Sequence, residues 1–441
     1  MTEWATVREA AVGRGTRTGR AEWRTIVLSS LGGALEFYDF VIYSTFAQYI
    51  GDAFFAPAKD PLIGLMLSYS VFALGYVPRL VGGVVFSHFG DKYGRRRVFI
   101  FSILLMSFAT LALGLLPGYA KWGAGATAGV IALRLIQGFS LGGELPGAIT
   151  YVVETAPERA GFSSGFIFFC VNTGVAFASG VGFAVVKLLS PEQVALWGWR
   201  IGFLLGGLLG LVSFWLRLSL SETEEFKKLR HTTSKQPFFE LMRTAPAATV
   251  LAIAAIIATA GFNGLLFAMP SFMQRVMHYT YLEGIEAQNM GLLVLSLGML
   301  ATAWLSDRIP KRWIISAGSL LMVLFCFPFF DAAAAHTTRL IPLFIGAGLV
   351  ASLCNGPMAG IVADLFPTHI RFSGVAVSFN LAVSLFSGSA PLVATLLVTT
   401  TGSSTGPAYF MLGCGVATLI AMSFVKRHEG RIAAGAAPRR P

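Results

Sequence analysis

The sequence has little charge for its length. Asp, Glu, Lys and Arg account for 12% of the 441 residues, about half of the roughly 25% that is usual in soluble globular proteins. So few charged side chains could not cover the surface of soluble domains of this total length. Intrinsic disorder is excluded for the opposite reason, because 55% of the residues are hydrophobic and the mean hydropathy is +0.69. The sequence therefore predicts an integral membrane protein.

The sequence also lacks the patterns of enzymes and metal sites. It contains no GxxxxGK[ST] phosphate-binding loop, no nucleophile constellation and no cluster of metal ligands. The four cysteines lie in apolar stretches and form no CxxC pair, which favours buried thiols over disulfides or metal ligands. They are Cys170, Cys326, Cys354 and Cys414. We therefore expect that the protein is not an enzyme and that it binds no metal and no cofactor.

Long apolar runs are what the sequence has in abundance. A helix needs about 20 mostly apolar residues to cross a hydrocarbon layer of about 30 Å. Runs of that kind predict an all-α membrane protein with twelve transmembrane helices. The predicted spans are 26–50, 62–86, 98–116, 124–150, 161–187, 197–218, 245–272, 287–304, 314–330, 340–364, 372–398 and 406–425.

The basic residues are distributed unevenly between these spans. Of 33 Lys and Arg, 25 fall on one side of the predicted membrane, with Arg217 counted among them, and 5 on the other. The remaining three, Arg79, Arg134 and Arg200, lie in or at the edge of spans. The positive-inside rule then assigns both termini and the middle loop to the cytoplasm. The net charge of +11 fits an anionic membrane surface, so we expect no nucleic-acid partner. The expected division is a cytoplasmic segment 1–25, a six-helix repeat 26–218, a middle loop 219–244, a second repeat 245–425 and a tail 426–441.

Two short motifs occur twice at nearly equal offsets. Asp91-Lys-Tyr-Gly-Arg-Arg96 matches Asp307-Arg-Ile-Pro-Lys-Arg312, and Glu154-Thr-Ala-Pro157 matches Asp364-Leu-Phe-Pro367. Because the matches fall after equivalent spans, they predict a duplicated six-helix unit with a substrate site near the midplane between the copies. Chance recurrence of short basic loops is the alternative.

Three stretches carry a recognisable pattern: Gly33-Ala-Leu-Glu36-Phe-Tyr-Asp39, Arg79-Leu-Val-Gly82-Gly83 continuing to Arg96, and Arg134-Leu-Ile-Gln137-Gly138 continuing to Glu144. Together they resemble the major facilitator superfamily, and within it the metabolite:proton symporter family of bacterial inner-membrane proteins. The resemblance implies alternating access between two six-helix repeats and transport of organic acids, proline or betaine. Ser87 stands where the superfamily usually has glycine, and Pro146 is expected to weaken its helix.

Two acids in the first span are the candidates for proton coupling. Glu36 and Asp39 are three residues apart and share one helix face, and ionisable groups at this depth usually face the bundle interior. Two adjacent carboxylates cannot both ionise cheaply, so one is expected to hold a proton near physiological pH. Arg134 is the natural counter-charge. A static ion pair that fastens two helices is the alternative.

Other polar residues are candidates for substrate contact or for gating. We expect the substrate to meet Tyr38, Tyr43, Arg134, Gln137, Asn263, Asn355 and Asn380, although each could equally serve packing or hydrogen bonding between helices. A cytoplasmic gate is expected from Asp91, Arg95, Arg96, Glu144, Glu154, Asp307, Arg308, Asp364 and Arg371. Topogenic charge alone is the alternative for the loop residues.

The sequence thus predicts a monomeric, multi-pass secondary transporter of the bacterial inner membrane. It would import a small carboxylate or zwitterionic solute by proton symport, with the proton as the coupling ion. Proton-coupled efflux is the alternative, but antiporters of the superfamily typically carry a Gly-Pro motif in the fifth span, and residues 161–187 contain no proline. A passive channel would not need the paired carboxylates.

Overall fold

The computed structural model describes residues 20–56, 67, 70, 71, 74–156, 159–219, 237–336 and 339–435. These residues are almost entirely helical, and no strand occurs among them. Most of the predicted segment 1–25, much of the middle loop and the end of the tail lie outside the described residues.

Twelve long helices account for the architecture, and we number them in chain order. The N-terminal half contains α1 Arg20–Thr45, which is prolonged by Ala47–Phe54, then α2 Val77–Tyr93, α3 Arg95–Leu115, α4 Ala124–Thr155, α5 Ala160–Leu188 and α6 Trp199–Arg217. The C-terminal half contains α7 Pro246–Met277, α8 Tyr281–Ser306, α9 Lys311–Ala334, α10 Leu340–Asp364, α11 Arg371–Ala382 and α12 Pro407–Gly435. A π-helical turn, Val383–Ser387, joins α11 to its continuation Ala390–Thr401.

The predicted all-α, twelve-helix membrane fold is confirmed. Eleven of the described helices are long and apolar enough to cross a membrane. The remaining one, α2, extends seven residues beyond the predicted end of the second span, at residue 86, and much of the first half of that span lies outside the described residues.

Helix ends follow local chemistry. Gly94 has a φ of 110° and separates α2 from α3, a conformation that glycine adopts without a Cβ penalty. Thr280 begins α8 with a capping box that it shares with Glu283. Pro146 does not end α4, which runs through it to Thr155. Pro146 was expected to weaken the helix locally, and α4 continues through it because proline removes one hydrogen bond while neighbouring helices support the rest.

Glycines bring α2 and α4 into backbone contact. A Cβ at Gly82 would overlap the carbonyl oxygen of Phe139, and a Cβ at Gly142 would overlap the carbonyl oxygen of Arg79. Small residues permit such close approach of membrane helices. Close packing at Gly142 therefore holds the α2 residue Arg79 against α4.

The two halves meet at the end of the bundle that carries the α2–α3 and α8–α9 turns and the short helix Pro237–Thr244. We call it the basic end, after the predicted distribution of Lys and Arg. Arg217, counted as a loop charge in that distribution, is instead fully buried at the end of α6. The reason is that its guanidinium pairs with a carboxylate inside the bundle.

Candidate substrate and coupling site

Asp39 and Arg134 form a direct ion pair inside the N-terminal half. We call these two residues the interior pair. Asp39 Oδ2 lies 3.0 Å from Arg134 Nη1, and both side chains are 2% exposed. The other carboxylate oxygen accepts hydrogen bonds from Thr110 Oγ1 at 3.1 Å and from Gln137 Nε2 at 2.9 Å. Arg134 therefore lies where the sequence predicted the counter-charge, and Asp39 has three hydrogen-bond donors.

The residues around the interior pair do not reach the space between the halves. Arg134 stacks over the Tyr43 ring at 4.1 Å, and Gln137 accepts a hydrogen bond from Arg134 at 2.8 Å. The Tyr38 hydroxyl donates to the carbonyl oxygen of Gly202 at 2.9 Å. These four predicted substrate contacts, Tyr38, Tyr43, Arg134 and Gln137, are instead packed within the N-terminal half, because α1, α4 and α6 enclose them.

Glu36 has a different partner from the one expected. Its Oε1 lies 3.2 Å from Nη1 of Arg79 on α2, and both side chains are buried. Arg79 also donates from Nε to Oδ1 of Asn380 on α11, at 2.8 Å. We call Glu36 and Arg79 the interface pair, since Asn380 belongs to the C-terminal half. Among the described residues, neither Glu36 oxygen accepts a hydrogen bond and Arg79 Nη2 donates none.

A third buried pair joins α4 to α6. Glu144 Oε1 lies 2.7 Å from Nη1 of Arg217, and Ser102 donates to its other oxygen at 2.6 Å. The absence of a side chain at Gly32 leaves room for this pair against α1. Glu144, predicted to gate the cytoplasmic side, thus contacts its own half and not the opposite one, because Arg217 is folded inward.

A cavity of about 60 Å³ lies between the halves. Its lining comes from both halves and combines aromatic, amide and aliphatic side chains. Among the described lining residues, Arg79 is the only one that carries a charge. The aromatic and amide members are Phe37, Phe168, Phe267, Phe379, Asn172, Asn263 and Asn355.

Two of the predicted substrate residues line this cavity. Asn263 Nδ2 donates to Asn355 Oδ1 at 3.1 Å, so these two amides face the same space from α7 and α10. Asn380 lies beside the cavity and not on its lining. Its amide is engaged by Arg79 and by the carbonyl oxygen of Gly142, at 2.8 Å each.

The basic end is held closed by two aspartates that occupy equivalent positions in the halves. Asp91 accepts hydrogen bonds at 2.9 Å from the backbone nitrogen and the hydroxyl of Ser373, at the start of α11. Asp307 accepts from the backbone nitrogens of Gly161 and Phe162, at the start of α5, at 2.8 and 3.0 Å. Each carboxylate thus meets the N-terminal, partially positive end of a helix in the opposite half.

The remaining predicted gate residues divide between contacts across the halves and contacts within one half. Glu154 lies 3.6 Å from Arg371 across the halves. Three others make contacts within one half: Asp364 pairs with Lys311, Arg96 donates to the Leu218 carbonyl, and Arg308 stacks on Trp304. The side chain of Arg95 is outside the described residues. Burial raises the pKa of Asp307, against the lowering effect of the Phe162 and Gly161 N–H groups.

Arg79 is the functional candidate that the sequence analysis missed. An arginine in an apolar span is costly and usually faces a cavity or a counter-charge. That signal was present, since Arg79, Arg134 and Arg200 were the three basic residues left in or at the edge of spans. Helix spacing could not tell which acid each arginine would meet.

The comparisons with known proteins agree with this architecture. The sequence model described as Major Facilitator Superfamily matches residues 29–379. The chain belongs to the Major Facilitator Superfamily. The proline/betaine transporter of Escherichia coli is 31% identical over 94% of this chain and 85% of its own. The glycine betaine/proline/ectoine/pipecolic acid transporter OusA of Dickeya dadantii is also 31% identical, with the same coverage.

Solved structures of this superfamily share the fold. The proton:xylose symporter XylE bound to 6-bromo-6-deoxy-D-glucose superposes with a TM-score of 0.75 at 15% identity, over 93% of this chain and 96% of its own. Its inward-open conformation from E. coli gives 0.59 at 18% identity, over 92% and 96%. The sequence matches confirm the resemblance to this superfamily and to its proline/betaine transporters. The protein is a membrane-spanning transporter of a small solute, related to bacterial inner-membrane proteins, and not an enzyme.

Proposed function

We propose that this transporter imports a small zwitterion of the proline and betaine type together with a proton. The observation that carries the proposal is Arg79. Its guanidinium is the only charge among the described residues that line the cavity between the halves, and its buried Nη2 has no hydrogen-bond partner among them. A buried donor without an acceptor is costly, and a substrate carboxylate would satisfy it.

The rest of the cavity suits the other end of such a solute. Aromatic faces attract a quaternary or secondary ammonium group, and Phe37, Phe168 and Phe267 are among the lining residues. The amides of Asn263 and Asn355 supply neutral polar contacts. A second carboxylate would find no second positive charge among the described lining residues, which favours a zwitterion over a dicarboxylate.

Glu36 is the proposed proton carrier. Asp39 accepts three hydrogen bonds, which stabilise its ionised form, whereas Glu36 accepts none among the described residues. Protonation of Glu36 would remove its charge and leave Arg79 to the substrate carboxylate. Arg79 then faces one carboxylate before and after the exchange, and the loaded site gains the single positive charge of the proton, as expected if one proton enters with each zwitterion.

The described arrangement supports a state that is closed at the basic end. Asp91 and Asp307 hold the helix starts of the opposite halves, and their bonds would break when that end opens to release substrate. With both termini in the cytoplasm, as predicted, the basic end faces the cytoplasm. Substrate released when that end opens is therefore imported. The proposed unit is the monomer, because one chain contains both the cavity and the ion pairs.

The test is uptake of radiolabelled glycine betaine and proline by the purified protein in liposomes. We expect accumulation when the outside is more acidic than the inside, and its loss with a protonophore. Glu36→Gln should abolish accumulation while unlabelled solute inside the vesicles still drives exchange of labelled solute, because the neutral amide resembles the protonated acid.

Three results would contradict the proposal. Uptake that does not depend on the pH gradient would indicate a channel or a uniporter instead of a proton symporter. Accumulation driven by a proton gradient of the opposite sense would indicate efflux. Uptake of succinate or shikimate in place of both zwitterions would refute the assigned substrate class.

A further inference from the structure

Asn380 connects the two halves at the depth of the cavity. Its Oδ1 accepts from Nε of Arg79 on α2, and its Nδ2 donates to the carbonyl oxygen of Gly142 on α4, both at 2.8 Å. The side chain is 1% exposed. One amide from the C-terminal half is thus hydrogen-bonded through both of its polar atoms to two helices of the N-terminal half.

The Asn380 amide fits against the backbone of α2 and α4, at a point where Gly83 has no side chain. A Cβ at Gly83 would overlap Nδ2 of Asn380, and it would lie 3.3 Å from the carbonyl oxygen of Gly142. Because interiors are closely packed, even one added methyl group at Gly83 would displace the amide. The fit of Asn380 to α2 and α4 therefore depends on helix backbone as well as on Arg79.

Helix α11, which contains Asn380, also takes part in closing the basic end. Ser373, which Asp91 holds, lies seven residues before Asn380 in the uninterrupted helix α11. Seven residues correspond to about 10 Å along a helix at 1.5 Å per residue. Phe379, next to Asn380, presents its ring to Arg79 at 5.8 Å. Movement of α11 away from α2 would break the contacts at Asn380 and at Ser373 together.

We propose that Asn380 is a positioning residue that holds Arg79 only while the basic end is closed, and so links the state of the substrate site to the gate. The inference rests on the proposed function in taking Arg79 as the substrate site. Since linkage is reciprocal, loss of the Asn380 contacts should shift the protein toward the state open at the basic end, even without substrate.

The test measures that opening directly. Ser306 lies at the basic end of α8, is 5% exposed, and sits where a Cβ on Gly161 of the opposite half would overlap it. Ser306→Cys is close to isosteric and lies on the α5–α8 side of the interface, away from α11. Alkylation of this thiol by N-ethylmaleimide, after subtraction of the background from the protein with Ser306 intact, reports opening.

We expect Asn380→Ala to increase the alkylation rate at least about tenfold, because it loses a hydrogen bond to the charged Arg79 and another to the Gly142 carbonyl. The control is Thr418→Ala. It removes two hydrogen bonds within the C-terminal half, one that Thr418 donates to the Ala254 carbonyl and one that it accepts from the Ala258 backbone nitrogen, and it should leave the rate within about twofold. An unchanged rate in Asn380→Ala would overturn the proposal.

A second variant protects the test against misfolding of the first. Gly83→Ala should expel the amide and raise the alkylation rate as Asn380→Ala does. The double variant Gly83→Ala/Asn380→Ala should be no faster than Asn380→Ala alone, because the clash is gone. Additive effects would overturn the proposal. The alkylation rates are measured without solute, so they stand even if glycine betaine and proline are not transported.

Discussion

The interior pair and the interface pair have the same composition, since each joins a carboxylate of α1 to one arginine of a neighbouring helix. Asp39 and Arg134 are enclosed by one half, where the carboxylate accepts three hydrogen bonds. Glu36 and Arg79 lie where the halves meet, with no hydrogen bond to the carboxylate and one guanidinium nitrogen without a partner among the described residues.

The difference distinguishes a structural ion pair from an ion pair that can take part in transport. A buried ion pair whose carboxylate is held by several hydrogen bonds, as Asp39 is, resists change, because removal of one partner leaves an uncompensated charge. An incompletely satisfied pair beside a cavity can exchange one partner for a ligand at lower cost. Of the two acids that the sequence analysis left open, Glu36 and Asp39, the proposed transport chemistry therefore uses Glu36, and its counter-charge is Arg79 in place of the expected Arg134.

The largest effect is expected when both residues of the interface pair are replaced by neutral ones. The double variant Glu36→Gln/Arg79→Gln should weaken glycine betaine binding at least about 30-fold, since the loss of a buried charge partner costs about 2–5 kcal/mol. Equilibrium binding of the radiolabelled solute to protein in detergent checks this.

The matched control is Asp39→Asn/Arg134→Gln, which removes the same two charges from the interior pair. Its affinity should stay within about threefold of the parent protein. If the two double variants lose affinity equally, the distinction between the pairs is wrong.

A smaller effect, on stability rather than binding, is expected from Asp39→Asn. The variant leaves Arg134 buried opposite a neutral amide and should lose about 3 kcal/mol, the scale for breaking one partner of a buried pair. Its melting temperature in detergent should fall by several degrees, and adding Arg134→Gln should restore part of the loss. Proton-driven accumulation should survive in the Asp39→Asn protein that remains folded.

The outcome that favours the opposite assignment is also clear. An Asp39→Asn variant with the parent melting temperature and no accumulation would make Asp39 the proton carrier. Glu36→Gln would then be expected to accumulate solute normally.

The smallest effect is expected across the cavity from the interface pair. Asn355→Ala removes a neutral amide that contacts Asn263 within the C-terminal half. A neutral hydrogen bond contributes about 0.5–1.5 kcal/mol, so the KM for glycine betaine should rise roughly three- to tenfold at unchanged pH dependence. A loss as large as that of the interface double variant would move the main substrate contact to the C-terminal half.

Most of the fold could be predicted from apolar run lengths. The predicted span 340–364 coincides with α10, and the spans 124–150 and 161–187 each lie inside one helix. The predictions were less accurate where a run is interrupted by charge. Arg217, at the end of the predicted span 197–218, was counted among the cytoplasmic charges, and its burial depends on Glu144.

Less of the candidate site could be predicted. The partnership of Asp39 with Arg134 followed from depth along two neighbouring helices, and the cavity amides Asn263 and Asn355 followed from their place in apolar spans. The role of Arg79 was missed because its contacts to Glu36 and Asn380 depend on how α2 and α11 are rotated about their axes. A count of residues along a span leaves that rotation open.

The sequence by itself determined that the chain crosses a membrane as helices, since long apolar runs must satisfy their backbone hydrogen bonds internally in lipid. It also indicated that Glu36, Asp39 and Arg134 would be buried. Only the tertiary structure decided how they pair. Arg79 and Asn380 are 301 positions apart, and they meet because glycines allow α2 and α4 to pack closely enough to receive a side chain from α11.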